Sequence, residues 1–465
     1  MAITLDGTNG VSGPINVTTD SVKLDGNYPV GTNNVALGDQ ALDDGSLSGG
    51  NNTAIGTSAL TVNTSGDDNV AVGYRAMEDN STGIDNTAVG SVALTNNTTG
   101  SNNTVMGNLA LADNTTGNQN TALGRAALIS NTTASNNTSV GYHSSYQNTT
   151  GTNNTAVGWS ALNANTTASN NTAVGTSALT ANTTGTGNCA FGQATLDANT
   201  SGSANTALGK EALTTNTTGY NNVAVGYFAS KQNTTGALNV SVGLQAMEQN
   251  TTASGGTAMG YQAMQANTTG ASNVAIGYTA LKDNTAGNNN VCLGYGAGTY
   301  NAGIQGSQNV MIGTNSGVNG TGDTYCIVVG TLNTVGKGST TGFINPNGGG
   351  VYQGNNSSSW STTSDERLKK NIVDNTDGLD KINAIQVRNF EYRTEDEITE
   401  LEPSNVIQIE GTQLGVIAQE IQQVCPQMVK EESTGVLSVD TDNLVWYLIN
   451  AVKELSAKVE ALENA

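Results

Sequence analysis

Glycine recurs every seventeen residues, at Gly56, Gly73, Gly90, Gly107 and onward without a slip to Gly294, and each copy reads close to N-T-A-V-G-x-x-A-L-x-x-N-T-T-G. A unit of that size cannot bury an apolar face by itself, so a fixed period this short assigns one coil of a stacked solenoid to each copy. Gly38 opens the series one residue out of step and Gly313 follows two late, which places roughly seventeen coils in residues 30–320. At about 4.8 Å per coil the shaft is on the order of 80 Å long.

Seven residues after each glycine stands an asparagine, from Asn63, Asn80 and Asn97 through Asn267 and Asn284. Amides stacked at the coil spacing can bond to the copies above and below as a ladder. The N-T-T triplets also fit the glycosylation acceptor, but turn chemistry accounts for all of them. In the strand part, Thr53-Ala54-Ile55 or Thr155-Ala156-Val157, β-branched residues take one side and a small alanine the other. A second pair such as Ala161-Leu162 completes about four apolar side chains per coil. A chain wound so thinly has two faces to cover. The expectation is that identical chains pack side by side, with the alanines permitting close approach. The fold class that follows is mainly β: a parallel β-solenoid or β-roll, as a trimer, followed by a small α+β domain ending in a coiled-coil helix.

Charged residues are 11% of the chain and the net charge is −21, which excludes nucleic acid and anionic membranes as partners. No apolar run reaches the length of a membrane span, and the start Met1-Ala2-Ile3-Thr4 lacks the regions of a signal peptide. Release inside a particle fits better than ordinary secretion. Cys189, Cys292, Cys326 and Cys425 lie far apart and read as small buried hydrophobes, so neither a disulfide framework, a metal site nor a cofactor is expected.

Residues 1–29 read as an attachment or capping segment and residues 30–320 as the shaft. Residues 321–363, with N-P-N-G-G-G at 345–350 and a serine run before Trp360, read as a neck. From Ser364 the composition changes: the last 102 residues hold 29 of the 53 charged side chains. In this second domain, 364–465, the spacing predicts a short helix over 377–385 and a strand alternation through Phe390 and Tyr392. It further predicts a strand over 414–417 running into a helix that Pro426 ends, then a final helix capped by Asp440. In that last helix Val445, Leu448, Val452, Leu455, Val459 and Leu462 form three heptads with valine at a and leucine at d. Such a coil ordinarily favours dimers; the thin shaft argues for trimers.

Ser364-Asp365-Glu366-Arg367-Leu368-Lys369-Lys370-Asn371-Ile372, then Gly415-Val416-Ile417-Ala418-Gln419-Glu420, Pro426, Ser438-Val439-Asp440 and the closing coil resemble the endosialidase-type intramolecular chaperone found at the C-termini of phage tail fibres and spikes. Thr441 departs from the aromatic that usually follows V-D in that family. The resemblance implies self-cleavage between Thr363 and Ser364, with Ser364 as nucleophile and Lys369 as general base. Asp365, Arg367, Gln419 and Glu420 are the supporting candidates. A lysine that acts as a base must be neutral, which asks for desolvation of Lys369. Five positions along an ideal helix is about 140° away from Ser364. Either the segment bends or the lysine comes from a neighbouring subunit. The repeat more loosely resembles the β-roll heads of trimeric bacterial adhesins, through A-[IV]-G-x-x-A.

The position after the repeat glycine varies freely and holds Tyr74, Tyr142, Trp159, Tyr227, Tyr261, Tyr278 and Tyr295, whose faces are candidates for stacking on sugars. His143, the one histidine, reads as a surface substitution, and no carboxylate pair marks a glycosidase. Together these features describe a homotrimeric virion tail fibre or spike, outside the host cell after release. Its partners would be a host surface polysaccharide or receptor and other virion tail proteins. The only enzymatic step expected is one turnover of a serine autoprotease. A trimeric bacterial surface adhesin is the alternative. An ice-binding solenoid fits less well, because the paired threonines are adjacent rather than alternate.

Overall fold

The computed structural model describes residues 32–299, 304–346, 351–353, 361–362, 364–400, 407, 409–431 and 435–465. The segment 1–29 and the Thr363 side of the expected cleavage point lie outside the described residues. The chain divides into two compact units, Met1–Thr363 and Ser364–Ala465.

The first unit is a parallel β-solenoid. Each coil contributes one three-residue strand: β1 (Val35–Leu37), β2 (Thr53–Ile55) eighteen residues on, and then one at every seventeen-residue step to β16 (Val291–Leu293). Equivalent residues face each other along the ladder, Ala54 against Ala71 and Ala71 against Ala88. The ladder then continues through β17 (Val310–Thr314), β18 (Ile327–Leu332) and β19 (Gly342–Asn345). Parallel coils thus extend into the stretch read from sequence as a neck. The strands β20 (Val351–Gln353) and β21 (Ser361–Thr362) add on antiparallel.

Five side chains fill each coil. In the coil that begins at Asn69 they are Asn69, Ala71, Ala76, Met77 and Asn80, all fully buried. Leucine takes the methionine place in most coils. The strand alanines therefore point into their own coil and cannot supply the close approach between chains expected of them. What faces outward is the residue before the glycine, and this column (Ile55, Val72, Val89, Met106, Leu123) is apolar throughout its length.

Two amide ladders run through the interior. Asn80 Nδ2 donates to Asn63 Oδ1 at 3.0 Å, as the sequence spacing predicts, and to the Gly83 carbonyl in its own coil. The second ladder uses the asparagine that precedes the strand in every coil from Asn52 to Asn309 except at Gly256. Asn69 donates from its backbone N–H and from Nδ2 to Asn52 Oδ1 at 3.0 and 3.1 Å, and from Nδ2 to the same Gly83 carbonyl at 2.9 Å. Outside them, Thr98 Oγ1 donates to the Thr115 carbonyl and Thr115 Oγ1 to that of Thr132. Because the N-T-T asparagines are fully buried and bonded on both sides, the glycosylation reading is excluded for the folded chain.

The repeat glycine has a steric cause. Gly73 has φ +139°, and a Cβ there would lie 2.4 Å from the carbonyl oxygen of Gly90 in the next coil. Other corners are turned by ordinary residues at positive φ, such as Arg75 at 54° and Met77 at 52°. That conformation disfavours L-residues and persists only where the neighbouring coils hold it.

The apolar core is not continuous. It forms three blocks, ending at Leu128, running from Ala156 to Ala229, and resuming at Ala246. Serines cause both breaks. Ser139, Ser144 and Ser145 replace all three apolar side chains of one coil, and the Ser139 and Ser145 hydroxyls are buried without a hydrogen-bond partner. At the second break Ser230 donates to Ser241 at 2.9 Å.

The second unit joins α1 (Leu379–Ala384), β22 (Arg388–Phe390), β23 (Gln413–Gly415), α2 (Ala418–Val424), β24 (Val429–Glu431), β25 (Leu437–Val439) and α3 (Leu444–Glu463). The strands pair antiparallel, β22 with β23 and β24 with β25. Pro426 opens a 3₁₀ turn directly after α2. Asn443, not Asp440, caps α3, and Tyr392 lies beyond β22 rather than within it. The core is small: Ile421, Cys425, Met428 and Tyr447 are its buried members. Tyr447 and Ala451 turn α3 toward its own unit, while Asn450 Nδ2 donates to the carbonyls of Asn375 and Asp377. The stripe of Val445, Leu448, Val452, Leu455, Val459 and Leu462 is left exposed.

Two measurements check this account. Asn114→Asp turns a donor to Asn97 Oδ1 and the Gly117 carbonyl into an acceptor at a fully buried site. It should lower stability at neutral pH by about 3 kcal/mol or more in denaturant titrations. Ser145→Leu restores the column between Leu128 and Leu162 and removes an unpartnered hydroxyl. It should raise stability by roughly 1–3 kcal/mol, read as a higher unfolding midpoint in denaturant titrations.

Candidate functional site

Asp365 organises the start of the second unit. Its Oδ1 accepts from the Arg367 backbone N–H at 2.9 Å, and its two carboxylate oxygens take Nε and Nη2 of the Arg367 side chain. With Asp365 as N-cap the chain makes a single 3₁₀ turn, Glu366–Leu368, closed by the Leu368 N–H on the Asp365 carbonyl and the Lys369 N–H on that of Glu366. Asp365 and Lys369 themselves are extended. One tight turn between two extended residues does what a regular helix cannot. Lys369 Nζ comes to 2.7 Å from Ser364 Oγ within the same chain. The segment bends within the single chain, as the first of the two alternatives requires.

The Arg367 side chain holds the Asp365 carboxyl below its usual range. A depressed carboxyl keeps its contacts at neutral pH and loses them as pH falls through the lowered value. The clamp on the turn therefore loosens only in acid.

The expected desolvation of Lys369 is absent in the single chain. Ser364 and Lys369 are both exposed, and so are the apolar side chains beside them, Leu368, Ile372 and Val373. Glu420 serves elsewhere: Arg388 Nη2 and Nε donate to its two oxygens at 2.8 and 3.2 Å, tying β22 to α2. Gln419 is exposed in the first turn of α2. Among the described residues neither hydrogen-bonds to Ser364 or Lys369.

On the solenoid all seven aromatic residues after the repeat glycine are exposed. Five of the seven have at least one face stacked on a neighbouring ring. Tyr142 stacks on His143 and Tyr227 on Phe228, each with centroids 3.8 Å apart, while Tyr261, Tyr278 and Tyr295 stack on one another. Burial and Arg125 keep His143 below its usual range. Arg125 donates to the Tyr142 hydroxyl at 3.2 Å.

Residues 364–430 match the family described as chaperone of endosialidase (Peptidase_S74). The match begins at Ser364, contains the Ser364–Lys369 pair and the 415–420 motif, and stops before α3. No curated protein and no solved structure matches the chain. Among the described residues no helix is long and apolar enough to cross a membrane.

Because both members of the pair belong to one chain, mixing Ser364→Ala chains with Lys369→Ala chains should produce no cleaved product. Cleavage in the mixture, seen by gel and mass analysis, would instead place the working lysine on a neighbouring copy.

Proposed function

We propose that the chain is a virion tail fibre or spike that attaches to the host surface, assembled as a homotrimer by its C-terminal chaperone, which then releases itself. The observation that carries this is the 2.7 Å contact between Lys369 Nζ and Ser364 Oγ at the first residues of the chaperone match, directly after a long uniform solenoid.

The chemistry follows from the position of the nucleophile. Ser364 Oγ attacks the carbonyl carbon of Thr363 while Lys369, as the neutral amine, takes the hydroxyl proton. The bond from Thr363 to the Ser364 nitrogen breaks, and that nitrogen leaves as an amine carrying the proton returned by Lys369. An ester between the Thr363 acyl group and Ser364 Oγ remains, and water hydrolyses it. Desolvation of Lys369 is the missing requirement in the single chain. Packing of further copies over Leu368, Ile372 and Val373 supplies it, so cleavage waits for assembly without any residue being borrowed.

Three features support self-association. The α3 stripe is exposed and at heptad spacing. The column before the repeat glycine is apolar from Leu37 to Ile344, a surface on which copies of a strongly acidic chain can meet without opposing charges. Coils this alike dock one coil out of register at small cost, so side-by-side shafts need a defined starting point, and a non-repetitive unit at the chain end provides it. Removing that unit afterwards leaves the shaft held by its barrier to unfolding.

Expression of the intact gene should yield a fragment beginning at Ser364 and a mature oligomer of residues 1–363, whereas Ser364→Ala should assemble but stay whole. A chain truncated after Thr363 should form fewer and less uniform rods; equal assembly would remove the chaperone role. Val452→Asp with Leu455→Asp should abolish both the oligomer and cleavage. Full cleavage in a monomeric variant would remove the gating by assembly.

A further inference from the structure

We propose that Tyr261, Tyr278 and Tyr295 form a track that binds an extended, uncharged polysaccharide lying along the solenoid. This rests on the attachment reading above and names the chemistry of its contact.

The three tyrosines occupy the same place in successive coils. Their rings are nearly parallel, with centroids 4.9 and 5.0 Å apart and interplanar angles of 15° and 4°. Each side of Tyr278 is therefore covered by a neighbouring ring, and a sugar cannot lie on its face. The rings present their outer edges and phenol hydroxyls instead. None of the three hydroxyls has a hydrogen-bond partner among the described residues, although Tyr278 is 47% exposed and Tyr295 54%. A row of donor–acceptor groups thus repeats once per coil, a step comparable to one hexose of an extended glycan. Successive sugars can meet successive hydroxyls without straining either partner.

The residues that follow the first two tyrosines, Gln262 and Thr279, are polar and suit a hydrogen-bonding ligand, with the Gln262 amide already donating to Gln245 Oε1 at 2.9 Å. None of these positions is charged, on a chain of net charge −21, so an uncharged glycan is accepted and a polyanion repelled. The remaining aromatics do not form such a row. Tyr142 and Tyr227 are stacked on the residue that follows each of them, and the Tyr142 hydroxyl is engaged by Arg125.

The test uses the full-length protein on an array of immobilised microbial polysaccharide fragments, neutral and acidic, two to eight sugars long. The intact chain should retain neutral fragments more tightly with each added sugar up to about three, the span of three successive coils. Tyr278→Ala should lower affinity about tenfold, and Tyr278→Phe, which removes only the hydroxyl, about fivefold, while Trp159→Ala changes nothing. Retention of no neutral fragment overturns the proposal, as does undiminished binding by both Tyr278 variants. Failure of Tyr278 to be nitrated in the glycan-free protein would show that a second copy covers the row, which also overturns it. Binding to host cells that survives Tyr278→Ala sinks the track alone; a protein that binds no cells sinks the attachment reading itself.

Discussion

The structure depends on buried amides bonding from coil to coil. In nearly every coil two asparagines converge on one turn carbonyl and also reach the equivalent amides of the adjacent coils, the strand-side ladder being interrupted at Gly256. Buried polar groups are costly when left unpaired, and here the pairing exists only if the next coil is in place. The same condition stabilises the left-handed corners at residues such as Met77. A coil is thus a conformation that its neighbours make affordable. Cooperative stacking follows, and so does the difficulty that each coil accepts any other as a neighbour.

Uniformity inside contrasts with variety outside. The interior columns admit asparagine, alanine, leucine and little else, because the next coil lies within van der Waals contact. The position after the repeat glycine meets no such limit and runs through arginine, tyrosine, tryptophan, threonine and glutamine between Arg125 and Gln193. The two serine breaks are the exception within the core. They divide one long apolar column into three blocks and give otherwise equivalent coils distinct interiors.

The C-terminal unit has the opposite character. Its elements occur once each, its buried core is small, and its α3 stripe and the 368–373 segment are bare. Local hydrogen bonds through Asp365 are sufficient to bring Ser364 and Lys369 together, but not to shield them from water. Geometry and environment are therefore separable here: the chain itself supplies the first, and the second is left to whatever covers it.

The period, the parallel coils and the ladder of N-T-T asparagines were legible in the sequence, because a repeat whose length is constant must place equal residues at equal heights. The motif beginning at Ser364 was equally plain, since its residues are contiguous. Three things were decided only in three dimensions. Which side of the strand faces inward cannot be read from a pattern in which both sides are apolar or small, and the alanines proved to be the filling rather than the contact surface. Stacking of Tyr261, Tyr278 and Tyr295 depends on rings from different coils meeting at one coil spacing. The approach of Lys369 to Ser364 required a 3₁₀ turn between extended residues, which helical periodicity excludes and which the side chain of Asp365 creates. Sequence determined what recurs and at what interval; tertiary structure decided which way each recurring side chain points, because direction is set by neighbours that are distant along the chain.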